Sequence, residues 1–60
     1  MRTFSLFTHD RRYSVPTLQF VVVADEARAR ELARAELLAS PEHLAVDVRD
    51  EQGTIVREER

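Results

Sequence analysis

Sixty residues form at most one domain, and a domain of this size buries only about 60% of the surface its unfolded chain exposes, so its core is thin. The absence of Cys excludes a disulfide or a thiolate metal site, which leaves association with another chain as the reinforcement most open to so small a scaffold. Nine Arg, no Lys and eleven acids give a net charge of −2, which argues against a free-standing nucleic-acid binder that works by neutralising phosphates.

The charge is uneven: residues 1–24 carry three Arg against one Asp, and residues 42–60 carry six acids against three Arg. Such an asymmetry can guide a partner's approach. Met1 to Thr8 has one Arg and no apolar run of signal-peptide length, so a cytoplasmic protein is expected. No segment reads as a membrane span.

Arg2 to Thr8 alternates, with Phe4, Leu6 and Thr8 on one side and Thr3, Ser5 and Phe7 on the other, as a strand does. His9-Asp10-Arg11-Arg12 follows as a polar tip, and Tyr13 to Val23 returns as a second strand. Its centre, Leu18 to Val23, is β-branched and apolar on both faces. The more hydrophobic row, Leu18, Phe20 and Val22, is expected to face the core, leaving Val21 and Val23 on the open side. That parity conflicts with a simple four-residue loop, which sets Val15 opposite Leu6. Either a bulge near Val15 to Thr17, at Pro16, or a five-residue tip with Phe4 opposite Leu18 reconciles them.

Ala24-Asp25-Glu26 opens a helix, with Asp25 as N-cap and Glu26 complementing the positive end of the helix dipole. Ala and Leu recur among Arg and Glu of high helix propensity from Ala27 to Leu38, and Ser40-Pro41 ends the run. Ala29, Leu32, Ala33 and Leu37 form the inward stripe, and Leu38 falls outside it. Glu26 with Arg30, Arg28 with Glu31 and Glu31 with Arg34 are spaced as surface ion pairs.

His43 to Asp50 alternates again, with Leu44, Val46 and Val48 inward. Asp50-Glu51-Gln52-Gly53 reads as a type I turn closed by a left-handed Gly, the sole Gly of the chain. The resulting register sets Val48 opposite Val56, Arg49 opposite Ile55 and Asp47 opposite Arg57, with Glu58 to Arg60 frayed. The whole is a single α+β domain over residues 1–60, of order ββαββ. Its four-stranded, mainly antiparallel sheet carries one helix on one face. Strand 3 beside strand 1 gives the order 2-1-3-4, and a parallel pairing of strands 2 and 3 is the alternative.

No constellation of catalytic residues is present. His9 and His43 lack companion ligands at metal-site spacing, so no metal or other cofactor is expected and both read as solvated imidazoles. Ser5, Ser14 and Ser40 lie in no nucleophile elbow, and a single Gly forms no phosphate loop. The chain is therefore read as a non-enzyme. The ββαββ order, the aromatic first strand, the Ala/Arg/Glu helix and the closing Val46-Asp47-Val48-Arg49-Asp50-Glu51-Gln52-Gly53 hairpin resemble short uncharacterised bacterial proteins of the same layout. That resemblance brings no functional motif with it. In size and charge the chain is also similar to phage-encoded inhibitors of bacterial defence such as anti-CRISPR proteins.

A helix is about 10 Å across, whereas four strands about 4.8 Å apart span nearly twice that. One sheet face is then bare. Phe7, Val21, Val23 and Ile55 are expected to form an interface there, with a homodimer or another protein as partner. Arg11, Arg12 and Tyr13 on one tip, and Asp50 and Glu51 on the other, are the candidate polar contacts. The leading functional expectation is a protein-interaction module. The alternative is a small mobile-element inhibitor that blocks a nucleic-acid-handling complex without touching nucleic acid itself.

Overall fold

A computed structural model describes residues 1–60, in the order β1 (Arg2–Asp10), β2 (Thr17–Val23), α1 (Glu26–Leu38), β3 (His43–Arg49) and β4 (Ile55–Glu59). The strands form one antiparallel sheet, β2-β1-β3-β4, with β2 and β4 at its edges. The fold is α+β, with β3 antiparallel beside β1 in the expected order and the parallel alternative not adopted. No helix is long and apolar enough to cross a membrane.

Local chemistry explains the helix well. The Asp25 side chain accepts from Arg28 N–H at 2.9 Å, satisfying one of the amides left without a partner in the first turn. Ala29, Ala33 and Leu37 are fully buried and Leu32 partly so, while Leu38 is exposed, as the stripe predicts. Small Ala side chains let α1 lie close on the sheet, and it packs most extensively on β3. Of the expected helix-surface pairs, Arg28–Glu31 forms at 2.9 Å, but Arg30 turns to Glu58 of β4 at 3.5 Å.

α1 ends at Leu38, just before Ser40-Pro41 as expected, but what holds that end is not local. Its last turn carries no basic residue, and the compensating cation arrives from the far end of the chain. The Arg60 guanidinium donates to the carbonyls of Leu37, Ser40 and His43. Hydrogen bonds to carbonyls at a helix C-terminus, where the dipole is negative, hold the last residues in place. Residues 58–60 are therefore not frayed: β4 continues through Glu59.

The second hairpin follows the sequence reading residue by residue. Val48 faces Val56, Arg49 faces Ile55 and Asp47 faces Arg57. Gly53 has φ 89, its N–H donates to Asp50 O, and Asp50 Oδ1 accepts from the amides of Gln52 and Thr54.

The first hairpin departs from it. Phe4, Leu6 and Thr8 do face the helix, but the register is Phe4 opposite Val21 and Leu6 opposite Gln19. Directly opposed residues share a face, so Val21 and Val23 point inward. Val23 is 8% exposed and belongs to the core, and Val21 packs against it. Leu18, Phe20 and Val22 are 49%, 67% and 60% exposed on the open face, the reverse of the expected parity. Neither proposed loop is used. Residues 13–16 lie outside β2, and the bulge sits elsewhere, where His9 pairs with Ala45 but Asp10 pairs with His43. Leu44 is the extra residue there and is exposed instead of inward, while His43 turns toward the helix end.

Candidate interaction surface

The sheet face away from α1 is built from four rows that the registers align. They are Leu18, Phe20 and Val22 on β2; Thr3, Ser5, Phe7 and His9 on β1; Ala45, Asp47 and Arg49 on β3; and Ile55, Arg57 and Glu59 on β4. It divides into two halves. The β2 half is an uninterrupted apolar strip, joined by half-buried Phe7, which stands opposite Leu18. The β3–β4 half is charged.

Asp47 organises the charged half. It receives Arg57 through two hydrogen bonds, 2.7 and 3.0 Å, and His9 Nε2–H at 2.9 Å. The Arg57 hydrogen bonds lower the Asp47 pKa, with His9 adding in the same direction against the cost of partial burial. Both carboxylate oxygens are engaged, so the group is an ion-pair centre and not a free base. Ile55 lies at the end of this half, 60% exposed and apart from the strip on β2.

Of the four residues expected on the open face, two are there. Phe7 and Ile55 do lie on the open face, whereas Val21 and Val23 lie beneath it and cannot contribute. The residues that replace them, Leu18, Phe20 and Val22, are the ones whose hydrophobicity sent them inward in the sequence reading. One local signal bears on it: only Ala24 and Asp25 separate β2 from α1. So short a connector carries the last strand residue, Val23, under the start of the helix.

The polar candidates are not brought together. Arg11, Arg12 and Tyr13 lie beyond one end of β1 and Asp50 and Glu51 beside the other, roughly 25 Å apart for a nine-residue strand at about 3.3 Å per residue. Each charged residue has an internal task. Arg11 is 3.4 Å from Glu42, and its N–H donates to Glu42 O. Arg12 binds Asp10 with Nε at 3.0 Å and a terminal nitrogen at 2.7 Å, while its guanidinium lies over the exposed Tyr13 ring. Asp50 holds its own turn together, and Glu51 accepts the N–H of Thr3.

Asp10 is the buried member of the first tip, with its side chain 5% exposed. Hydrogen bonds from the Arg12 side chain and backbone hold its pKa at about 2, below the ordinary 3.8 and against the opposing effect of burial. His43 Nε2 is 3.7 Å away, and its Nδ1–H donates to Glu36 O at 2.6 Å, so this imidazole bridges strand and helix end. Neither His is a free solvated ring. No group of three or more His, Asp or Glu side chains converges as metal ligands.

No protein-family model, curated protein or solved structure matches this chain.

Proposed function

We propose that this chain is a non-enzymatic protein-interaction module that works through the apolar half of its open sheet face. The observation that carries the reading is the strip Leu18, Phe20 and Val22, three large apolar side chains side by side, each about half exposed or more, with Phe7 against them. Isolated exposed apolar residues are ordinary, but a contiguous strip on a rigid sheet is the mark of a surface that meets another protein. Covering it would contribute roughly 1.5–3 kcal/mol for each large side chain fully removed from water. The charged half supports orientation: Asp47, Arg57 and His9 form a fixed polar border beside the strip.

The test compares wild type with the double variant Phe20→Ser, Val22→Thr by chemical cross-linking in the native cell and by sedimentation of the purified chain. Wild type should form a defined complex, with itself or with another protein, and the variant should lose that complex while keeping its circular dichroism spectrum. A complex indifferent to the double substitution, or no complex for wild type in either setting, would sink the reading.

A further inference from the structure

We propose that β2 pairs edge to edge with β2 of a second copy of this chain, antiparallel and centred on Phe20, to give a continuous eight-stranded sheet. The inference rests on the reading of the β2 strip as an interaction surface, and it assigns the partner and the register.

The direction of the backbone groups comes first. Thr3 N–H in β1 donates to Glu51 on the β3 side of the strand. In an antiparallel ladder successive residues direct their backbone groups to opposite neighbours, so odd residues of β1 serve β3 and even residues serve β2. Even residues of β1 stand opposite odd residues of β2, as in Phe4 with Val21 and Leu6 with Gln19. Thr17, Gln19, Val21 and Val23 therefore bond inward to β1. Leu18, Phe20 and Val22 present their N–H and C=O groups to the open edge, and these are the residues whose side chains form the strip.

The two sheet edges differ in how they are guarded. β4 carries Arg57, Glu58 and Glu59 within five residues, and Glu58 is tied to Arg30. Charged side chains of this kind discourage strand addition. β2 is the one strand with no charged residue, and it contains neither a Pro nor a bulge. A single open edge makes association close after two copies, because an isologous pair consumes the only such edge on each chain.

Self-complementarity then selects the register. With Phe20 opposite Phe20 of the second copy, Leu18 falls opposite Val22, and each of these pairs joins residues whose backbone groups already point outward. Every one can exchange both N–H···O bonds. On the open face the two apolar strips merge into one cluster, and an uncharged strand sets no like charges against each other across the two-fold axis. On the other face, Gln19 meets Val21 at the mouth of a groove of about 240 Å³ between α1 and β2, walled by Leu6, Leu32 and Ala35. The helix leaves this groove open because it lies over β3, and the second copy walls it from the strand side.

Amide hydrogen exchange by NMR, read alongside sedimentation at the same concentrations, decides the matter. The expected result is a dimer at high micromolar concentration in which the amides of Leu18, Phe20 and Val22 are protected, with that protection lost on dilution to monomer. A dimer in which those three amides exchange freely overturns edge pairing but leaves the apolar strip as a face-to-face contact. A chain that stays monomeric at high micromolar concentration overturns the second copy as partner, and the cross-linking comparison above then judges the strip by itself. Val22→Pro removes one outward donor while leaving the β1 ladder intact, so it should yield folded monomers. A folded Val22→Pro dimer would count against the pairing.

Discussion

The two hairpins of this sheet are closed by links of different length. β3 and β4 are joined by Asp50 to Thr54, a tight link whose geometry is held by Asp50 accepting two amides of its own turn and by Gly53 at positive φ. β1 and β2 first pair at Thr8 and Thr17, leaving residues 9–16 between them with no Gly and no residue at positive φ. Those residues are held partly by a local turn, in which Tyr13 N–H donates to Asp10 O and Arg12 N–H to Asp10 Oδ1, and partly by contacts to other elements: Arg11 to Glu42, and Asp10 beside His43. In the tight hairpin the turn sets the register, so local sequence carries it. In the wide one the register is set by what the strand meets in three dimensions.

The sharpest way to break this contrast uses two adjacent residues of β2. Val23→Asp should unfold the protein, because it places an unpaired carboxylate in the core at a cost of several kcal/mol. Val22→Asp, one residue earlier but on the open face, should leave a folded chain. Equal damage in urea melts would mean that β2 has the opposite parity.

The two Phe residues of the first hairpin sharpen the same point. Phe4→Ala, at a position 1% exposed, should cost about 3–5 kcal/mol. Phe20→Ala, at 67% exposure, should cost under about 1 kcal/mol when measured on the monomer, as surface substitutions do.

Acid titration probes the tip of that hairpin. The folded Asp10 pKa, about 2, lies below its ordinary 3.8, so its contribution is complete above the ordinary value and is lost as pH falls through the folded one. Wild type should therefore lose stability between pH of about 4 and 2 in a step that Asp10→Asn lacks. A pH profile unchanged by that substitution would show that the Arg12 contact contributes nothing.

The second hairpin should respond more mildly. Nothing lies within 4 Å of a Cβ added at Gly53, but its φ of 89 disfavours any side chain, so Gly53→Ala should cost about 1–2 kcal/mol without changing the fold. Smallest of all is the Asp47–Arg57 pair. A double-mutant cycle there should give the smallest coupling of the set, and it should shrink with added salt.

What the sequence determined by itself was whatever has its cause within a few neighbouring residues. The Asp25 cap, the Ala29, Ala33 and Leu37 stripe, the Gly53 turn and the pairs it aligns all belong here, and together they settle the ββαββ order and one side of the core. Four features were decided only by the tertiary structure: the inward turn of Val21 and Val23, the exposed strip on β2, the bulge at Leu44 and the Arg60 clasp on the helix end. Apart from the short link that helps to place Val23, their causes lie far apart in the chain. α1 sits over β3, so β2 is at the margin of its footprint and the more hydrophobic of its two rows gains little by facing inward. The two-residue link to the helix places Val23 instead. Arg60 reaches Leu37 across 23 positions of sequence, and periodicity and turn chemistry carry no information over that distance.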